Sequence, residues 1–175
     1  AAEARAVADR SARASYGRLV ALLAASTGDL ALAEDALSTA FERALASWPD
    51  SGVPDNPEGW LLTVARNRQR DVWKSAAYRT AAPLEDRDAV VDPFAHLDLE
   101  AIPDKRLELL FVCAHPAINA SIRTPLMLQT VLGFTAIQIA EAFLLPPVTM
   151  GQRLVRAKAR IRQAGIPFEI RGPEA

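Results

Sequence analysis

One segment, residues 147–164, constrains the fold more than any other. Apolar residues recur in it at intervals of four, three, four and three, the spacing of one helical face, at Met150, Leu154, Ala157, Ile161 and Ala164. Pro147 at the first helical position and Gly165 after the last favour a helix with these bounds. The apolar stripe predicts packing against other elements. Between residues 152 and 163 the same helix carries five cations and no acid.

The composition also favours helices. The 175 residues are 50% hydrophobic and contain 8 glycines, and the abundant Ala and Leu are the strongest helix formers. No apolar run reaches the roughly 18 residues that a membrane span needs, and no signal peptide opens the sequence. The single cysteine, Cys113, excludes an internal disulfide and suits a reducing compartment. We therefore expect an all-α, cytoplasmic protein without membrane contact.

Charge is segregated along the chain, although the net charge is only −1. Residues 66–79 hold five cations and one acid (+4), and residues 151–163 hold five cations and no acid (+5). Between them, residues 80–104 hold seven acids and one arginine (−6). Two basic helical segments predict two contacts with a polyanion. The alternative is that both are solvated helix faces, but acids normally intersperse such faces.

Turn residues divide the first part of the chain into three helices. Asp29, after Gly28, is the predicted N-cap of a second helix that reaches Ser47. Residues 48–57 contain three prolines and predict a loop. Asn56 and Pro57 then form a cap and first position for a third helix, which runs to about residue 78.

Helical periodicity fails over residues 80–103, where prolines and acids dominate, and returns after them. The prediction is two small helical domains, residues 1–79 and 104–170, joined by an acidic flexible linker, residues 80–103. The second domain ends in a short helix capped by Thr135, a turn at Leu145-Pro146 and the long basic helix. This arrangement is typical of a helix-turn-helix, with early polar residues for base edges and cations for phosphates.

Three segments resemble the extracytoplasmic-function (ECF) sigma factors of the sigma-70 family. They are EDALSTAFERAL and PDNPEGWLLTVARNRQRD, which resemble region 2, and TAIQIAEAFLLPPVTMGQRLVRAKARIR, which resembles the region 4 helix-turn-helix. The stretches RLELLFVCAHPA and LVRAKARIRQAGIPFE are similar to one subgroup, whose members usually carry a helical C-terminal extension. The resemblance implies a promoter-recognition subunit of bacterial RNA polymerase that binds core polymerase and promoter DNA. It also implies an anti-sigma factor or a regulatory C-terminal extension as a further partner.

The resemblance assigns roles to residues of the first domain. The resemblance assigns polymerase binding to Asp35, Ser38, Phe41 and Glu42 on the second helix, although the helical spacing of Phe41 with Leu37 and Leu45 favours a core position for Phe41. Contact with the −10 promoter element falls on the following loop and helix, at Asp55, Asn56, Arg66, Asn67, Arg70, Trp73 and Lys74. For Asn56 the role of helix cap is favoured over base contact, and Trp60 is interpreted as core. Trp73 either stacks on an unpaired base or seals an interface.

Contact with the −35 element falls on the last helix, at Thr149, Gln152, Arg153, Arg156, Lys158 and Arg160. The turn departs from the family pattern, because Leu144 stands where a glycine is frequent and Pro146 where a serine cap is frequent. We expect Thr149 to take over the capping.

The sequence gives little support for an enzyme active site or a metal site. His96 and His115 are the only histidines, and Cys113 with His115 falls short of the three or four ligands of a zinc site. No Gly-rich phosphate loop or Ser/His/Asp set is present. We expect no enzymatic activity, no metal and no cofactor. The alternative functions are a helix-turn-helix regulator that acts without polymerase and a helical protein-interaction module.

Overall fold

The computed structural model describes residues 2–79 and 103–169, with side chains as far as residue 76 in the first range. These residues form seven α-helices: α1 (Ala2–Thr27), α2 (Leu30–Ser51), α3 (Pro57–Arg79), α4 (Arg106–Ala114), α5 (Ala120–Thr130), α6 (Ala136–Ala142) and α7 (Pro147–Ala164). No strand occurs among them, so the all-α prediction is confirmed. Apart from Pro103, the predicted linker lies outside the described residues.

Local capping accounts for most helix starts. The Asp29 side chain accepts the N–H of Leu32 at 3.0 Å, which is the predicted cap of α2. Asn56 accepts the N–H of Gly59 at 2.9 Å, so the cap interpretation of Asn56 is confirmed. Thr135 and Gln138 form a reciprocal capping box at the start of α6.

The predicted loop at residues 48–57 is wrong over its first four residues. Helix α2 continues to Ser51 with Pro49 inside it, and Gly52 then ends it at φ 86°. Proline in a helix removes one backbone hydrogen bond and clashes with the preceding turn. Burial offsets that cost, because Trp48 is enclosed and its ring meets Trp60 edge-on at 5.3 Å. Only residues 52–56 lie outside the helices here.

The chain divides into two compact units with borders that differ from the predicted domains. One unit comprises Ala1–Ser11 and Asp35–Pro103, and the other comprises Ala12–Glu34 and Asp104–Ala175. Most of α1, from Ala12 onwards, and the start of α2 thus belong to the same unit as α4 to α7. The functional division into residues 1–79 and 104–170 stays a prediction.

The core of the first unit contains mostly small residues from α2. Ala36, Leu37, Ala40 and Ala44 are buried, and α3 adds Leu61, Leu62 and Ala65. The apolar spacing had also favoured Phe41 and Leu45 as inward positions. Leu45 is exposed and Phe41 is half-buried, because the alanine stripe, rather than the larger side chains, is the buried face of α2.

The second unit is centred on α5, which contacts α4, α6 and α7. The C-terminal end of α5 can pack closely against α1 because Gly17 has no side chain. A Cβ at Gly17 would overlap the backbone carbonyl of Val131, the residue after α5. A Cβ at Gly133, which adopts φ 73°, would lie 3.1 Å from the Tyr16 ring, a tight contact without the overlap seen at Gly17. Burial of the Tyr16 hydroxyl, with the Glu34 carboxylate a smaller cause, raises its pKa well above the ordinary range.

Candidate nucleic-acid interface

Helix α7 has the bounds that the sequence predicts. Pro147 occupies its first turn, and Gly165 ends it in the left-handed conformation at φ 59°. Met150, Leu154, Ala157 and Ile161 are buried, which confirms four positions of the predicted stripe. Ala164 is exposed, because it is the last residue of the helix and lies beyond the packed region. The capping prediction for Thr149 is wrong: Pro146 is the N-cap, and no side chain caps α7.

The turn before α7 keeps the left-handed residue that the family pattern implies, but without glycine. Leu144 adopts φ 54° and is 91% exposed. A left-handed conformation costs a residue with a Cβ about 1–2 kcal/mol. Backbone bonds around Leu144, from Phe143, Leu144 and Leu145 to carbonyls of α6, hold the turn in this geometry.

Two of the five cations of α7 are paired with acids. Lys158 Nζ lies 2.5 Å from Glu34 Oε2 and 3.0 Å from Gln129 Oε1. The side chains of Lys158 and Glu34 are only 10% and 13% exposed, and we call them the buried pair. Arg162 reaches Asp29 at 3.3 Å in a more open setting. The side of α7 that carries Lys158 and Arg162 is therefore neutralised by the start of α2.

Burial dominates the electrostatics of the buried pair. Desolvation raises the pKa of Glu34, and the attraction and hydrogen bond of Lys158 lower it by less. Glu34 Oε1 is buried and accepts no hydrogen bond. Lys158, predicted as a −35 contact, is thus held inside the unit. It would have to leave Glu34 to touch DNA.

The other three cations of α7, Arg153, Arg156 and Arg160, are exposed on the opposite flank. Their spacing of three and four residues puts them on one side of the helix. None of them forms a hydrogen bond or ion pair with any residue that the structure describes. They line a cavity of about 450 Å³ together with Ala157 and with residues just before and at the start of α5, namely Ala117, Ile118, Asn119, Ser121 and Ile122. We call Arg153, Arg156 and Arg160 the arginine flank.

The outward face of α7, away from its buried stripe, is partly apolar. Val148 and Val155 are 71% and 64% exposed and lie one helical turn either side of the exposed Gln152. Thr149 is half-buried beside them. Sequence reasoning missed the two valines, although a signal was present: positions 148, 152 and 155 follow helical spacing opposite the buried stripe. An exposed valine methyl can contact the methyl group of thymine in a major groove.

Of the three cations of α3 that were predicted to contact the −10 element, two are exposed. Arg70 and Lys74 are exposed, whereas Arg66 is half-buried and engaged in contacts within the chain. Arg70 donates to the Asn67 side-chain oxygen at 2.6 Å, which orients the guanidinium along the helix. Trp73 is 60% exposed. The exposed side chains of α3 thus combine positive charge with a solvent-exposed aromatic ring, the combination that proteins use to bind single-stranded nucleic acid.

The loop and the tryptophans before α3 have separate roles in the structure. Asp55 is exposed in the loop, and Asn56 is committed to its cap. Trp60 is half-buried against Trp48, in line with its interpretation as a packed residue. The indole N–H of the buried Trp48 has no hydrogen-bond partner.

The predicted polymerase-binding residues share one side of α2. Asp35, Ser38 and Glu42 are exposed, at spacings of three and four residues. Phe41 is half-buried next to them. A mixed surface of this kind suits the rim of a protein interface.

Cys113 and His115 are occupied in other ways. Cys113 is buried 3.5 Å from the Thr130 hydroxyl, and burial raises the pKa of its thiol to about 11. His115 Nδ1 accepts the backbone N–H of Ala117 at 3.1 Å. In the described ranges, no three His, Cys, Asp or Glu side chains converge as metal ligands would. His96 lies outside these ranges.

Comparison with known proteins finds similarity to sigma factors. Residues 12–79 match the model of sigma-70 region 2. An uncharacterized protein of Rhizobium meliloti (strain 1021) is 42% identical over 148 residues, which are 81% of this chain and 34% of that protein. A probable ECF RNA polymerase sigma factor SigI of Mycobacterium tuberculosis (strain H37Rv) is 30% identical over 90% of this chain and 55% of its own length.

The chain thus spans about a third and about half of the lengths of these two relatives. None of the helices in the described ranges has the length and hydropathy that crossing a membrane requires. The region 2 match includes α2, the loop and α3, where the polymerase-binding and −10 residues were predicted. The region 2 match and the similarity to an ECF sigma factor support a place for the chain among the extracytoplasmic-function sigma factors of the sigma-70 family.

Proposed function

We propose that the chain is the promoter-recognition subunit of a bacterial RNA polymerase, which binds core polymerase and both promoter elements. The region 2 match and the similarity to a probable ECF sigma factor support the role. The observation that carries the DNA-binding part is the arginine flank, because three unpaired guanidinium groups on one helix attract a polyanion. The role is one of binding and positioning, and RNA synthesis belongs to the polymerase. Its place of action is the cytoplasm.

In this proposal α7 reads the −35 element from the major groove. Gln152 offers the bidentate amide that suits adenine, and Arg153 suits guanine. Val148 and Val155 add apolar contacts to thymine methyl groups on either side of Gln152. Arg156 and Arg160 bind phosphates, which fixes the register of the helix without reading sequence.

The −10 element is assigned to the loop before α3 and to the open part of α3. Arg70 and Lys74 follow the backbone of the strand, and Trp73 stacks on an unpaired base. Asp55 offers a hydrogen-bond acceptor to a base that has left the stack. Asn56 contributes through the helix cap that fixes the end of the loop.

Core polymerase docks on the exposed side of α2. Asp35, Ser38 and Glu42 meet a basic surface of the polymerase, with Phe41 at the edge of the contact. In this assignment residues 1–79 act as region 2, residues 104–170 as region 4, and residues 80–103 as the linker. An anti-sigma factor or a helical C-terminal extension is proposed as the regulator.

The docking part is tested by Asp35→Arg. Charge reversal against a basic partner should weaken core polymerase binding by up to several kcal/mol, measured by fluorescence anisotropy of labelled chain. Glu3→Arg, an equal reversal at an exposed position of α1, is the matched control and should leave the affinity unchanged. Equal affinity of a folded Asp35→Arg variant would contradict the docking assignment. A chain that binds promoter duplex but no polymerase would instead be a regulator that acts alone.

A further inference from the structure

The segment that matches sigma-70 region 2 is shared between the two compact units of the chain. The match covers residues 12–79, but residues 12–34 belong to the same unit as α4 to α7, and the rest of the match belongs to the other unit. The start of the region 2 segment therefore packs with the helices that are proposed to read the −35 element. The proposed function gives this packing no role.

Two glycines let α1 approach the loop that follows α5. Gly17 in α1 lies so near Val131 that a Cβ at Gly17 would overlap the Val131 carbonyl. A Cβ at Gly133 would lie 3.1 Å from the Tyr16 ring. Contacts this close need two surfaces of matching shape, so the packing of α1 on this loop is a specific interface.

Two ion pairs join the start of α2 to one flank of α7. Lys158 Nζ lies 2.5 Å from Glu34 Oε2 in the buried pair, and Arg162 lies 3.3 Å from Asp29. We call these two ion pairs together the latch. Acidic side chains from the start of α2 thus occupy two cations of α7 that a bound DNA backbone would otherwise neutralise.

The latch is incompatible with simultaneous contact to both promoter elements. Their names place the −35 and −10 elements about 25 base pairs apart, roughly 85 Å along a straight duplex at about 3.4 Å per base pair. Helices α2 and α3 have 22 and 23 residues, so they are about 33 and 35 Å long, and they share one core. With its first turns held against α7, α2 cannot bring α3 to the −10 element while α7 occupies the −35 element. The latch must therefore open before both elements are bound.

Neighbouring residues of α2 meet α7 and the proposed polymerase surface. Glu34 is 13% exposed and pairs with Lys158, whereas the next residue, Asp35, is exposed on the side assigned to core polymerase. A basic polymerase surface at Asp35 would compete with Lys158 for Glu34 and would repel both cations of the latch. Docking on α2 therefore weakens the latch through charges on consecutive residues.

We propose that the latch is an autoinhibitory contact: it holds α7 against the start of α2 in the free chain, and docking of core polymerase on α2 releases it. The inference rests on the proposed function and adds a coupling between polymerase binding and DNA binding that this function does not contain. In the latched chain only a minor population offers both flanks of α7 to DNA, which weakens the apparent affinity for a duplex by that fraction. Polymerase removes this penalty.

The first arm of the test measures whether the latch opens. Ala31→Cys and Gln163→Cys place spin labels at exposed positions, one on each side of the latch, and pulsed electron resonance gives the distance between them. Cys113 is buried and leaves the labels to the introduced cysteines. We expect a short distance in the free full chain and a distance longer by tens of ångströms once core polymerase is bound. Ala120→Cys with Gln163→Cys, which reports on α5 and α7 alone, is the matched control and should not change.

The second arm compares DNA binding by the free chain. A duplex is selected from a random pool with the Glu34→Gln chain, which keeps the shape of the side chain but loses its charge. Glu34→Gln should bind this duplex about tenfold more tightly than the wild type, the gain expected when an open state of about 10% becomes dominant. Glu3→Gln removes an equal charge at an exposed position of α1 and should bind like the wild type. In complex with core polymerase all three chains should bind alike, because the latch is already open.

Asp29→Ser weakens the latch at its other ion pair and serves if Glu34→Gln fails to fold. Serine retains the N-cap that Asp29 gives to α2, so the helix keeps its start. Asp29→Ser should also tighten duplex binding, by a smaller factor, since its pair with Arg162 is the more open one. Circular dichroism equal to that of the wild type establishes the fold of each variant.

A label distance that is already long in the free chain, or that stays short in the complex with polymerase and promoter, would overturn the proposal. Folded Glu34→Gln and Asp29→Ser chains that bind the duplex no better than Glu3→Gln would do so as well. Failure of the proposed function looks different: the chain would form no complex with core polymerase, while the free-chain distance and the duplex affinities would still show whether the latch restrains α7.

Discussion

Removing one partner of the buried pair should destabilise the second unit strongly. Lys158→Met keeps most of the side-chain volume but leaves the Glu34 carboxylate, 13% exposed, without a counter-charge. Glu34 Oε1 already lacks a hydrogen bond, so little else solvates the carboxylate. Breaking such a pair costs about 3–5 kcal/mol of the free energy of unfolding. Replacing both partners, as Glu34→Leu with Lys158→Met, should cost far less or be neutral, because desolvation of both charges is avoided.

The pH dependence of this cost follows from the pKa of Glu34. Burial raises that pKa in the folded chain, and Lys158 lowers it by less. A carboxyl with a raised folded pKa contributes stability below its unfolded pKa and loses that contribution as the pH rises through the folded pKa. Lys158→Met removes the lowering influence, so Glu34 takes up a proton at a higher pH. The destabilisation should therefore be largest at pH 7 and shrink as the pH falls towards the ordinary carboxyl pKa of 4.5.

Urea unfolding followed by circular dichroism, at several pH values between 7 and 5, measures both effects. The control is Arg162→Met, which breaks the more open pair with Asp29 on the same helix and should cost about 0–1 kcal/mol. A cost below about 1 kcal/mol for Lys158→Met at pH 7, without pH dependence, would refute the reasoning. It would mean that Glu34 finds water or another partner when Lys158 is absent.

Three further predictions concern single positions. Leu144→Gly should raise the free energy of unfolding by about 0.5–1 kcal/mol in thermal or urea unfolding, because glycine adopts the left-handed conformation without strain and Leu144, 91% exposed, loses little packing. A less stable variant would show that Leu144 is not strained. Gly17→Ala should lower the free energy of unfolding by about 1–3 kcal/mol, because the alanine Cβ would overlap the Val131 carbonyl. An unchanged melting temperature would argue against the close approach of Gly17 and Val131. Gln152→Ala should cost holoenzyme about 1–3 kcal/mol of selectivity among −35 sequences in competition binding, whereas equal loss on every sequence would make the contact nonspecific.

Local signals in the sequence were sufficient for much of the fold. The caps at Asp29, Asn56 and Thr135 depend on side chains within three residues of the groups they bond, and the sequence shows both partners. The ends of α7 depend similarly on Pro147 and Gly165. Such features are decided by the chain near each position, so they need no knowledge of packing.

Packing decided the features that the sequence did not predict. The prolines around Trp48 indicated a loop, but burial of Trp48 keeps residues 48–51 helical. Lys158 resembled the other cations of α7 in sequence, whereas its partner Glu34 is 124 residues away along the chain. The spacing of α7 predicted its stripe, and the same spacing put the arginine flank on one side. The spacing could not show which flank of α7 would form ion pairs with acidic residues, because Glu34 and Asp29 are distant in sequence.

The central claim, a promoter-recognition role, is tested most directly by run-off transcription with purified core polymerase and the full chain. We expect core polymerase alone to be inactive on a selected duplex promoter. Addition of the chain should produce transcripts from one defined start, and Asp35→Arg and Arg156→Ala should each reduce them. A folded chain that binds the promoter but never directs initiation would contradict the account and would favour a regulator that acts without polymerase.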